Sequence, residues 1–233
     1  MNRKKINLYV IGIFAITLLF SNYGFPTRIC NSSSNDSISN RIADRAFTII
    51  TKLKSTKYKS FPYTIDAMNG VYETDCAGFI THVLRQKAPI HLSLIPFQQG
   101  KIYHTVSDYY SYFKEIRDSL IKSDTAYWKV LTTLEEARRG DILVWVDDES
   151  DPDISLSHIF IFADSSKPIG DKIFETVVYD ASEKPYNKDN RSINGLGYGM
   201  IRIKVDSLGM PVEYELRTGE SFRKSNIIIA RTL

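Results

Sequence analysis

The chain has 233 residues, of which 43% are hydrophobic and 24% charged, with two cysteines. That composition excludes a disordered, collagenous or disulfide-stapled chain and leaves ample length for one core with extensions. The formal net charge of +3 comes from Arg3, Lys4 and Lys5; without them basic and acidic residues are equal in number, which gives no electrostatic case for binding nucleic acid or an anionic membrane.

In chain order, the basic start leads into an apolar stretch over residues 6–20 and then Ser21, Asn22, Tyr23 and Gly24. This pattern predicts a secretory signal peptide over residues 1–24. The apolar stretch is shorter than the ~20 residues that span a bilayer comfortably. No clean small-x-small cleavage site is visible, which keeps an uncleaved N-terminal anchor open. Either way the chain is expected to be exported, and no integral membrane partner is indicated. "NSSSNDSISN" reads as a polar linker, so residues 25–40 are assigned to a linker and 41–233 to a single domain. Cys30 falls in that linker, past the apolar run, and neither lipidation nor a disulfide to Cys76 is expected of it.

Ile42, Ala46, Ile49, Ile50 and Leu53 recur at helical spacing and predict an amphipathic helix over 40–54. Residues 55–72, with Pro62, Asn69 and Gly70, read as loop. A helix over about 75–86 follows, then another around Tyr109, Tyr110, Phe113, Ile116 and Leu120, with Ser107 as its cap. Thr133 and Glu136 stand at capping-box spacing, with Gly140 as a stop. After residue 140 the period changes. "DILVWV", "SHIFIFA", "TVVYD", "MIRIKV", "VEYEL" and "NIIIART" are short and rich in β-branched and aromatic residues, and "DSLGMP" (206–211) reads as a hairpin turn. Helices first and strands afterwards predict an α+β fold, with N-terminal helices packed on one side of a C-terminal antiparallel β-sheet. "GLGYG" (195–199) precedes a strand rather than a helix, so it reads as a flexible loop on a cleft rim and not as a phosphate loop.

Cys76 shares one helix face with Phe79, Ile80, Val83 and Leu84. It sits in the first turn, where unpaired N–H groups and the dipole favour a thiolate. Ala77 and Gly78 leave room for close approach. A lone cysteine is also a small hydrophobe, and a catalytic role needs a base. His82 lies about 120° round the helix from Cys76 and reads as a boundary residue; His91 and His104 fall in irregular segments. His158 heads an apolar strand on the same side as Phe160 and Phe162, where it reads either as a core residue or as the base. Asp180 ends the next strand, across a connection containing Pro168 and Gly170, and is the expected orienting group; Asp164 is the alternative. No cluster of metal-type ligands stands out, and no cofactor is expected.

"DCAGF", then "GDILVW", "SHIFIF" and a strand ending "YDAS" resemble the NlpC/p-sixty superfamily of papain-like cysteine peptidases of bacterial cell walls, over roughly residues 41–182. The resemblance implies a papain-like fold, with Cys76 as nucleophile, His158 as base, Asp180 as orienting residue, and Tyr72 and Asp75 beside the substrate. It implies cleavage of an amide in peptidoglycan stem peptides, with peptidoglycan or a peptide as the partner. Ala77 stands where serine is common, Ser157 where glycine is usual, and Asp180 where histidine, asparagine or glutamine is usual. These departures mark a divergent member and keep two alternatives: an amidase or acyltransferase of the same fold on another substrate, and a non-catalytic cell-wall binding module.

Overall fold

The computed structural model describes residues 37–98, 100–119, 126–146 and 157–233. The expectations for residues 1–24, for Cys30 and for most of the linker lie outside them. Asn35–Leu233 is one compact unit. Its architecture is α+β, with N-terminal helices followed by a large, mostly antiparallel sheet.

Helix α1 (Ile38–Thr51) is capped by Ser37, whose hydroxyl accepts the Asn40 N–H at 3.2 Å, and it buries Ile42, Ala43, Ala46, Ile49 and Ile50. The segment expected to be loop instead holds three strands, β1 (Ser55–Tyr58), β2 (Thr64–Asp66) and β3 (Val71–Thr74), in the order β1-β3-β2 with β1 parallel to β3. They are too short and too exposed to carry an apolar run. They are tied down from a distance: the Thr56 hydroxyl donates to the Tyr72 carbonyl at 3.0 Å and accepts the Leu196 N–H at 2.8 Å. After β3 come α2 (Cys76–Lys87), α3 (Pro89–Ser93) and α4 (Val106–Arg117). The cap of α4 is Thr105 in a capping box with Asp108, not Ser107, and Leu120 lies outside the described residues. The Thr133–Glu136 spacing produces only a single 3-10 turn, Leu134–Glu136. Thr133 makes no cap bond, because Glu136 is taken instead by Lys129 at 2.9 Å and Thr132 at 3.0 Å.

The remaining strands are β4 (Trp128–Val130), β5 (Ile142–Val146), β6 (His158–Phe162), β7 (Lys167–Gly170), β8 (Ile173–Ser182), β9 (Gly195–Val205), β10 (Pro211–Glu215), β11 (Arg223–Lys224) and β12 (Asn226–Thr232). They run in the order β11-β10-β9-β8-β6-β5-β12-β4, with β7 added on β8. "GLGYG" is not a loop: it opens β9, with Gly197 opposite Asp180 and Gly195 opposite Ser182.

Alternation along the strands builds two cores. Ile142, Val144, Ile159, Ile161 and Ile228 face α1, α2 and α4. Leu143, Trp145, Phe160, Phe162, Ile201, Ile203, Tyr214 and Ile229 form the second cluster. Among the described residues no α-helix covers that second face, and only the 3-10 turn adds Leu134 to it. Instead the sheet curls until β10 approaches β12, although β9, β8, β6 and β5 lie between them in the sheet order. Trp145 of β5 stacks on Tyr214 of β10 with ring centroids 4.0 Å apart, closing the curl.

Candidate active site

Cys76 is the first residue of α2, and Asp75 is its N-cap: one carboxylate oxygen accepts the Gly78 N–H at 2.7 Å. The Tyr63 hydroxyl donates to both oxygens of Asp75 at 2.9 Å. Gly78 is required by the close approach of Tyr63. A Cβ there would lie 2.2 Å from the Thr74 hydroxyl and 2.5 Å from the Tyr63 ring. Burial pushes the pKa of Asp75 above the ordinary carboxylate range, and the Gly78 N–H, Tyr63 and the charge of His158 act against it.

His158 is the first residue of β6, and Asp180 lies on the neighbouring strand β8. Both belong by alternation to the inner face of the curled sheet, with Phe160 and Val178, whereas α2 packs on the outer face. The three groups meet because the elements meet at their ends: α2 starts where β6 starts. Cys76 is a free thiol with 3% of its surface exposed. The His158 side chain keeps 15% exposure and that of Asp180 none, so the imidazole is the more accessible side of the pair.

The His158 Nε2 bonds an Asp180 oxygen at 2.7 Å, and with a carboxylate as acceptor that nitrogen carries the proton. Burial opposes protonation of His158. The charge of Cys76, hydrogen bonds to Asp180 and Cys76, and the charge of Asp180 outweigh burial and push its pKa up to about 10. Asp180 is held below the ordinary carboxylate range: burial raises it, but Arg191, His158 and Tyr186 more than reverse that. The arrangement therefore favours an imidazolium between two acceptors, the state in which a cysteine nucleophile is charged.

Cys76, His158 and Asp180 are brought together with Asp75 beside them, and Tyr72 goes to the core. Tyr72 is 3% exposed, packed in the helical core with its ring edge-on to His82 at 5.7 Å. Its strand position turns it inward. Asp75 caps α2 and accepts from Tyr63, and its charge bears on His158. Asp164 is exposed and accepts its neighbour's Ser165 N–H at 2.8 Å, so it orients nothing. Of the other histidines, His82 is half-buried at Gln86 and lowered by burial to about 4, while His91 and His104 are buried against backbone carbonyls at 3.3 Å and 2.9 Å. Among the described residues no group of three or more His, Cys, Asp or Glu could hold a metal ion.

Sequence reasoning missed three tyrosines. Tyr58 sits on β1, in the supposed loop; burial first, then the charges of Cys76 and Asp75, hold its hydroxyl protonated far above the ordinary range. Tyr63 is held protonated likewise, by burial and by Asp75. Tyr186 donates to Asp180 at 2.6 Å and lies 3.3 Å from the His158 Nε2. Nothing in local pattern singles out these tyrosines among the fourteen of the chain. No family model, curated protein or solved structure matches the chain.

Proposed function

We propose that this protein is an exported cysteine hydrolase that cleaves an amide bond in peptidoglycan stem peptides, with a papain-like arrangement of α2 against the sheet. The observation that carries the reading is the line Cys76–His158–Asp180, in which the imidazole interacts with the Cys76 thiol and bonds a buried carboxylate at 2.7 Å through Nε2. A core cysteine would need neither partner.

In this reading the Cys76 thiolate attacks the amide carbonyl carbon and a C–S bond forms. The oxyanion is held by the Cys76 backbone N–H at the helix start and by the Tyr58 hydroxyl, which remains a donor because it stays protonated. His158 gives its proton to the leaving amine as the C–N bond breaks, leaving a thioester. It then takes a proton from water, whose oxygen attacks the thioester and releases the acid and the thiolate. Asp180 keeps the ring oriented through both halves. The cell-wall substrate is supported by the resemblance of "DCAGF", "GDILVW" and "SHIFIF" to the NlpC/p-sixty superfamily.

The test is incubation of the protein with purified murein, followed by chromatography of soluble fragments. Released peptides are expected from the wild type and absent with Cys76→Ser. Release that survives Cys76→Ser, or no release by a protein whose Cys76 alkylates rapidly at neutral pH, sinks the murein reading. The second of those results moves the activity to another amide.

A further inference from the structure

Behind Asp180 lies a second layer of charge that the reaction above does not use. The Asp180 oxygen turned away from His158 accepts the Arg191 Nη1 at 2.8 Å. That guanidinium is 2% exposed and is gripped on its other side by Asp189, with Nη2 at 2.6 Å and Nε at 2.9 Å and 3.1 Å. Nη1 also reaches the Gly195 carbonyl at 3.2 Å, and the guanidinium lies over the Tyr186 ring at 4.8 Å. Asp189 is fixed in turn by the backbone N–H groups of Tyr186 at 2.8 Å and Arg191 at 2.7 Å. The glycines of β9 make the space: a Cβ on Gly197 would stand 2.4 Å from the Arg191 Cγ, and one on Gly199 would stand 2.6 Å from an Asp189 oxygen.

We propose that Arg191 and Asp189 are positioning residues for the cysteine site, a buried ion pair that clamps Asp180 toward His158 and leaves the cluster one positive charge short, the deficit that the imidazolium fills. Asp180 and Asp189 face one guanidinium. With a neutral His158 the group would hold an uncompensated negative charge away from water, which is costly. A proton on His158 removes the imbalance. The groups facing the ring are Cys76 and Asp75 from α2, Asp180 from β8 and Tyr186 from the segment after it, with Tyr58 of β1 beside Cys76 and Asp180. None of these is a cation, so Arg191 is the one positive charge that the described contacts place on Asp180 besides the imidazole. A purely structural ion pair would lose stability when Asp189 is neutralised but leave the His158 midpoint in place; a charge-setting one moves that midpoint.

The proposal takes its catalytic meaning from the hydrolase reading, but its test needs no substrate. In the full chain, the ring nitrogens of His158 are followed by NMR against pH. Asp189→Asn keeps the shape and an acceptor oxygen but removes one negative charge, and the His158 midpoint is expected to fall by about one pH unit. Arg191→Lys keeps the charge and gives up the fork, so its midpoint stays while the His158 Nε2 proton exchanges with water at least about tenfold faster. An Asp189→Asn protein that melts cooperatively with an unmoved His158 midpoint overturns the proposal. Should that variant not fold, Gly197→Ala pushes Arg191 off Asp180 without changing any charge. Faster Nε2 proton exchange is expected there too, and an unchanged His158 signal overturns the proposal. Failure to cleave murein together with the Asp189→Asn shift would sink the peptidase reading and leave this one standing.

Discussion

At the scale of single residues the site is an arrangement of protons. His158 is raised to about 10, chiefly because Cys76 and Asp180 favour its charged form over the opposition of burial. A base raised in the folded state stabilises that state fully below its unfolded value near 6.5, and the gain is lost as pH rises through about 10. Asp180 runs the other way. It lies below 3.8 when folded, so its contribution is complete above that value and disappears on acidification. Activity is therefore expected to fall on the alkaline side near pH 10, and Asp180→Asn is expected to move that limb down toward 6.5; a pH profile of kcat/KM measures it. His158→Ala and Cys76→Ser should each lower kcat by at least about a thousandfold with the fold intact, checked by single-turnover assay and circular dichroism. Cys76, His158 and Asp180 were candidates from residue type and placement: a cysteine at a helix start, a histidine at a strand start, and an aspartate expected at a strand end, which the structure carries on to Ser182. Arg191 was not, because its meaning lies in what a loop after β8 brings back to Asp180.

At the scale of elements, α2 has to begin at Cys76 for the thiol to reach β6. Asp75 fixes that start through the Gly78 N–H, and Tyr63 holds Asp75 from outside. Asp75→Ala should cost about 1 kcal/mol of stability, read by urea denaturation, and should slow iodoacetamide alkylation of Cys76 as the first turn frays. Asp75→Asn should preserve most of the stability. Gly78→Ala gains helix propensity but puts a methyl 2.2 Å from the Thr74 hydroxyl, so a net loss of stability is expected where an open helix site would gain. Periodicity located α1, α2 and α4 and six of the strands, since each buries a regular stripe. It failed at β1 and β2, whose few residues are half-exposed, at β3, which buries only Tyr72 and Thr74, and at 133–136, where Glu136 found other partners.

At the scale of the whole molecule, the curled sheet decides where the chemistry sits. Trp145 and Tyr214 hold β5 against β10, although β9, β8 and β6 lie between them in the sheet order. Trp145 is fully buried, and Trp145→Ala should cost about 3–5 kcal/mol and lower Tm. It should also weaken His158, whose ring lies 6.2 Å from Trp145, measurable as broadening of the His158 signals. The sequence by itself determined the α+β class, because helical and strand periods are local, and it named the candidate nucleophile and base, because Cys76 and His158 each open an element; Asp180, expected at a strand end, lies two residues inside β8. Only the tertiary structure decided that these ends coincide, that Tyr72 goes to the core while Tyr58 and Tyr186 come to the site, and that Arg191 and Asp189 back Asp180. Those outcomes depend on strand order, register and curl, which arise from long-range packing and leave no periodic trace in the chain.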